Sequence, residues 1–359
     1  MKPAGPAVQL GMAVTIAAMA VLSSSGQLQK WSGTGGLFLY ALLIGSVVFL
    51  DMRSDLLTSL WKNRKLVATL LAVFCVLMMI AFLILYPIAH SGRFGPGTDR
   101  DEALNLAVHA ILKGQYPYYL KTRFGVPITP MPGALLLALP FYLLGNAAYQ
   151  NLFWLPAFAV FSWHFIFSAR QAFLFLAVFV FANLSFLQDF VTGGDYSVNV
   201  MYVTMAVFFF EYRLRQARSL QSLLIPAAFL GIAIASRPIY FAVLPVLFFH
   251  GRKTAGAFRS LAGCALAILI AAVLILPFYL YDPSGFSPLH ISSFATSAIP
   301  HASLLLPALA LATTCLAIVL PLEKNGIFGV LAVVMCFIFL PQLANLVVRF
   351  NQFELTLIL

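Results

Sequence analysis

The residues best suited to chemistry crowd into one polar stretch, from His90 to Pro132. It opens with Thr98, Asp99, Arg100, Asp101 and Glu102, and continues through Lys113, Tyr116, Pro117, Tyr118, Tyr119, Lys121, Thr122 and Arg123. A carboxylate can take a proton from an attacking hydroxyl, while neighbouring cations and phenols hold an anionic group. Acids at this spacing also suit a helix start. Thr98 with Asp101 three residues on matches a capping box, and carboxylates there are favoured by the helix dipole. Leu104, Ala107, Val108 and Ile111 then recur at helical spacing, which predicts a short amphipathic helix lying on a membrane surface.

Those residues need elements to hold them, and the chain around them is apolar almost throughout. Of 359 residues, 62% are hydrophobic and 9% charged. The apolar runs lack strand-like alternation, so an all-α polytopic transmembrane bundle of about 10–12 helices is expected, as one domain over 1–359. The formal charge of +10 falls mainly in short loops, as expected for cytoplasmic anchors rather than for a nucleic-acid partner. Arg53, Lys62, Arg64 and Lys65 mark one anchor; Arg213, Arg215 and Arg218 a second; Arg252, Lys253 and Arg259 a third. The run from Ala7 to Leu22 is read as a first membrane helix, although Lys2 before it and Ser23 to Ser25 after it also fit a signal peptide.

The anchors fix the topology. The run from Leu220 to Phe249 would be about 45 Å long as one helix, too long for one crossing, and both its flanks are basic. It is expected to be a broken hairpin turning at Ser236, Arg237 and Pro238, with Arg237 extracytoplasmic. Gly133 to Ala147 would span only about 22 Å and contains Pro140, so a re-entrant or surface segment is expected there. The 90–132 loop and the Asp189 to Asp195 loop then share the outer side. Cys75, Cys264, Cys315 and Cys336 lie inside apolar runs without metal-ligand spacing and read as packing residues.

The stretch from Asp99 to Gly145 resembles the first large outer loop of the GT-C glycosyltransferases, in particular polyprenyl-phosphate-mannose-type transferases and GPI mannosyltransferases. The likeness rests on Asp99 and Asp101, then Gly114, Pro117 and Tyr118 as a Gly-x-x-Pro-Tyr element, then Pro130, Pro132, Pro140, Phe141 and Gly145. It extends more loosely to Gly193, Gly194 and Asp195 and to the segment from Gly231 to Arg237. In many relatives the first membrane helix leads straight into the acidic loop, whereas here two extra helices precede it.

The resemblance implies a multi-pass enzyme of a bacterial inner membrane with its active site on the extracytoplasmic side. Its donor would be a polyprenyl-phosphate sugar and its acceptor a carbohydrate, glycolipid or protein hydroxyl. Asp99 is then the expected base, with Asp101 second, and Arg237 is the cation for the leaving phosphate, a residue otherwise explained as an arginine reaching lipid phosphate. Lys121, Arg123 and Tyr118 would hold phosphate or sugar, or form an interfacial belt on lipid head groups. Asp189 and Asp195 would bind sugar hydroxyls. His301, with His290, flanks a late outer loop and could contact a phosphate; His109 and His164 read as packing histidines. No cofactor is expected; some relatives use a divalent cation, but Asp99 and Asp101 alone do not make a metal site.

Two other classes share much of this pattern. A transporter or lipid-carrier flippase would also have broken helices and intramembrane charge, but such folds commonly carry internal repeats, which this sequence lacks. An O-antigen polymerase or ligase would also have a large outer loop, relying more on arginines and histidine. The early position of the acidic loop separates this chain from that class.

Overall fold

The computed structural model describes residues 64–91, 98–166, 183–216 and 219–290, with scattered positions among 21–46, 176–180 and 311–318. Of the expected first span at 7–22 only position 21 falls among them, and His301 lies outside the described residues. Among the described residues the regular elements are helices: α1 (Arg64–His90), α2 (Arg100–Leu112), α3 (Pro132–Leu143), α4 (Gln150–Phe161), α5 (Leu184–Val191), α6 (Tyr196–Gln216), α7 (Leu224–Ile234), α8 (Val243–Ala255) and α9 (Ala257–Tyr281). Two of them are long and apolar enough to cross a membrane, Lys65–His90 and Ala257–Tyr281. A third candidate is the pair Pro132–Leu143 and Ala147–Phe165, bent by 99° at the intervening turn.

The chain groups into two compact units. The first holds Met1–Gly95, Leu155–Thr192 and Asn351–Leu359. In it α1 buries Val67, Leu71, Phe74, Cys75, Met78 and Phe82 along one stripe and exposes Val73, Val76, Leu77, Ile80 and Ile84 on another. A helix apolar on both faces suits protein on one side and lipid on the other. Phe82 stacks on Tyr86 at 5.0 Å and meets Phe190 of α5 edge-on at 6.0 Å. Asn183 caps α5 by accepting from the Phe186 amide at 2.9 Å.

The second unit comprises Pro96–Trp154 and Gly193–Phe350 and is built on α6, α7, α8 and α9. Helices α7 and α8 each pack on both α6 and α9. Gly263 near the start of α9 stands against Phe210 of α6 and Leu223 at the foot of α7, while Gly251 of α8 stands against Leu214 and Ser260. The start of α7 and the end of α8 therefore reach the same end of α6 and α9, and the chain between them turns back. The turn falls where length and proline place it. Arg237 is extended (φ −150°, ψ 143°) before Pro238, which opens a 3-10 turn over Pro238–Ala242.

A broken helix leaves carbonyls without partners, and here α3 supplies them. Met131 N–H donates to Ser236 O at 3.1 Å, and Gly133 N–H to Ala235 O at 2.9 Å. Only glycine permits this approach, since a Cβ on residue 133 would lie 2.2 Å from Ile232 O.

The apolar face of α2 differs from expectation in what it meets. Ala103, Leu104, Ala107 and Val108 are buried against Tyr118, Ile128, Phe286 and the α3 residues Ala134, Leu135 and Ala138, with Ile111 left at the rim. The amphipathic spacing is present, but its partner is protein. Polar bonds lock this packing: Asn105 donates to Asn146 at 3.0 Å and accepts from the Ala147 amide at 2.8 Å, and His109 pairs with the Tyr142 hydroxyl at 2.7 Å.

Candidate functional site

Between α2 and α3 runs a strap, residues 113–131, pinned at each end. Tyr116 OH donates to Phe278 O at 3.0 Å and Tyr119 OH to Asp282 Oδ2 at 2.9 Å, fastening its first part to the end of α9. The remaining oxygen of Asp282 accepts from the Ser284 hydroxyl at 2.6 Å and the Gly285 amide at 2.9 Å. Those bonds, with Ser284 the largest, hold the Asp282 carboxyl down to a pKa of about 2. Ser287 Oγ donates to Ile128 O at 2.5 Å, and Tyr118 OH to Pro130 O at 3.2 Å. Burial raises the Tyr118 phenol well above its usual range, so this hydroxyl stays a donor tied to backbone.

The strap brings the start of α2 and the α7–α8 turn to one end of this unit. At the start of α2, Thr122 Oγ1 donates to Asp99 Oδ2 at 2.5 Å. Asp99 occupies the N-cap position without a side-chain cap, and the Arg100 amide meets Thr98 Oγ1 at 3.4 Å, so the capping box is not formed. Asp101 is 2% exposed whereas Asp99 is partly exposed, which leaves Asp99 the more accessible carboxylate. Arg123 is taken up in holding the strap: its Nη2 donates to Thr98 O at 2.9 Å and its amide to Glu102 Oε1 at 3.0 Å. Lys121 is exposed at the strap's bend.

At the other side of the site stands Arg237. Its Nη2 donates to Asp195 Oδ2 at 2.5 Å and its Nη1 to Thr129 Oγ1 of the strap at 2.9 Å. The side chains of this pair are 13% and 1% exposed. Asp195 precedes α6, and its carboxylate also accepts from Asn199 Nδ2 at 3.2 Å, whose own Oδ1 is bonded to the Tyr202 hydroxyl. Burial works against the charged guanidinium, but the Asp195 carboxylate and Tyr196 outweigh it, raising its pKa further. The two sides meet on one ring. Arg237 Cζ lies 4.8 Å from the centroid of Tyr196, and Arg100 Cζ lies 3.8 Å from the same centroid.

Asp99, Asp101, Tyr118, Lys121, Arg123, Asp195 and Arg237 thus belong to one unit, with Asp195 and Arg237 in direct contact. Asp189, buried in α5, belongs to the other. Arg100, Tyr196 and Thr129 were not singled out from the sequence. Arg100 lay hidden between two acids, and nothing local marks a tyrosine or threonine as a partner for an arginine far along the chain. Among the described residues no three His, Cys, Asp or Glu side chains gather as a metal site.

A second ionic cluster joins α6 to α8 at the opposite end. Glu211 Oε1 meets His250 Nε2 at 2.6 Å, and Arg215 Nη2 contacts both, at 2.8 Å from the imidazole. Glu211 lies about 24 Å along α6 from Asp195, at 1.5 Å per residue.

No protein-family model matches the chain, and comparison with characterised proteins and with solved structures finds no similar one.

Proposed function

We propose that the chain is an integral-membrane glycosyltransferase that moves a monosaccharide from a polyprenyl-phosphate carrier to an acceptor hydroxyl on the extracytoplasmic side. The observation that carries this reading is the shared Tyr196 ring. It links Arg237 at the α7–α8 turn to Arg100, the residue next to Asp99. A proton acceptor and cationic groups at one end of one unit are what transfer from a phosphate ester requires.

In the proposed reaction the acceptor oxygen forms a bond to the anomeric carbon while its proton passes to Asp99. The bond between that carbon and the phosphate oxygen breaks, and its electron pair leaves with the polyprenyl phosphate. A single displacement of this kind inverts the anomeric centre and needs one base. Arg237 and Arg100 supply positive charge where the leaving phosphate gathers negative charge. Asp195 offsets part of the charge of Arg237, and Arg100 brings a second guanidinium to the same Tyr196 ring. Apolar faces such as the exposed Ile268, Leu269, Val273 and Leu276 of α9 give the carrier tail a surface to lie on.

The test is to supply the purified full-length protein with polyprenyl-phosphate sugars and an acceptor extract and to follow release of polyprenyl phosphate. Release is expected from the unaltered protein, and Asp99→Asn should slow it about 10²- to 10⁴-fold, the usual contribution of a general base. Carrier movement across a vesicle membrane without release would turn the reading towards a flippase. Full turnover by Asp99→Asn would remove Asp99 as the base.

A further inference from the structure

The Asp195–Arg237 pair is closed on one leg and open on the other. Nη2 and Nε share an edge of the guanidinium, and a carboxylate usually meets both. Here Nη2 holds Oδ2 at 2.5 Å, while Arg237 Nε and Asp195 Oδ1 are both buried with no hydrogen-bond partner. Buried polar atoms without partners are uncommon and costly, so two of opposite character on one ion pair define what would satisfy them. Nε is a donor that needs an acceptor, and Oδ1 is an acceptor that needs a donor. A phosphate oxygen cannot give Oδ1 a proton, and an ammonium cannot accept from Nε. A hydroxyl does both.

We infer that the open leg of the Asp195–Arg237 pair reads a hydroxyl of the transferred sugar, its oxygen accepting from Nε–H and its proton directed to Oδ1. This deepens the glycosyltransferase reading and rests on it. The carboxylate is built to stay in place for that task. Asn199 grips Oδ2, Tyr202 grips Asn199, and the backbone of Asp195 accepts the first-turn amide of Asn199 at 2.8 Å. Thr129, bonded to Nη1, fixes the guanidinium from the strap side. With Arg100 on the same Tyr196 ring, the site would bind a phosphate and a nearby hydroxyl together, the pattern that a glycosyl phosphate presents.

The experiment measures binding to the full-length protein in detergent by calorimetry. The probes are citronellyl phosphate, its mannosyl, glucosyl and arabinosyl esters, and single-deoxy analogues of whichever ester binds most tightly. The inference expects one deoxy position to weaken binding about tenfold or more, as for a lost hydrogen bond to a charged group. In Asp195→Asn the same analogue and its parent should differ less than about twofold. If every deoxy analogue binds the unaltered protein as its parent does, or if no ester binds more tightly than citronellyl phosphate, the inference is overturned and the fork holds only water. Failure of citronellyl phosphate itself to bind would overturn the glycosyltransferase reading beneath it.

Discussion

Gly133→Ala tests whether the docking of α3 on the α7–α8 turn holds the site together. The new Cβ would lie 2.2 Å from Ile232 O and 2.6 Å from the Ala235 carbonyl carbon. Ordinary contact needs more than about 3 Å, so α3 must retreat by roughly 1 Å or the turn must give way. A retreat of that size takes the Gly133–Ala235 bond, 2.9 Å, and the Met131–Ser236 bond, 3.1 Å, beyond hydrogen-bonding range. Strain on its own costs about 1–3 kcal/mol, and two broken bonds cost about 1 kcal/mol each, more where a carbonyl stays buried. Alanine returns about 0.4–1 kcal/mol by restricting the unfolded chain. The net expectation is about 2–5 kcal/mol of destabilisation, or about 4–20 °C in apparent Tm at the usual 2–4 °C per kcal/mol. Thermal unfolding of the full chain in detergent measures it, with Gly45→Ala, which meets nothing within 4 Å, as the control expected to melt no lower than the parent. Because Ser236 adjoins Arg237, ester binding should weaken in step. A Gly133→Ala protein that melts at the parent temperature would refute the docking argument.

Arg237→Gln leaves the Asp195 carboxylate buried without its cation and should cost about 3–5 kcal/mol by denaturant titration, while adding Asp195→Asn should recover part of that loss. His250→Leu removes one partner of Glu211 and should cost about 1–3 kcal/mol without changing ester affinity, since it acts at the far end of α6. The Asp282 carboxyl is held below its unfolded value of about 3.9, so its stabilising bonds are complete above that pH and are lost as pH falls towards about 2. The parent should therefore be more stable than Asp282→Asn at pH 6, and the two melting curves should converge as pH approaches 2.

Much of the frame was legible because hydrocarbon leaves few options. The apolar runs that become α1 and α9 are long and continuous, and the run from Leu220 to Phe249 breaks at Ser236–Pro238 because proline ends helices wherever they lie. The fate of α2 was less legible. An apolar stripe at Leu104, Ala107 and Val108 serves lipid and protein equally well, and only the position of α3 and Phe286 decides between them. Within the site, Arg237 and Asp195 could be singled out because charge in an apolar chain is costly. Their pairing, and the arrival of Arg100 and Thr129, depend on how the strap folds back. No local pattern encodes that path. Glu211 and His250 went unnoticed for a similar reason: each is ordinary at a helix end until the other, 39 residues away, is brought to 2.6 Å.

The two ionic clusters then explain each other. Helix α6 carries one at each end, and the α7–α8 hairpin is fastened to it twice, by Arg237 at the turn and by His250 near the far end. Buried ion pairs add little net stability, so fastening alone does not account for choosing charge over apolar packing at both places. The clusters differ in how they close. At the far end Glu211 Oε1 meets both His250 and Arg215. At the turn, Nε and Oδ1 remain buried and open, and a second guanidinium shares the neighbouring ring. A fastening has no use for an open leg, whereas a binding site does, and this asymmetry is the ground on which the turn end of the hairpin, and not its foot, is proposed to meet substrate.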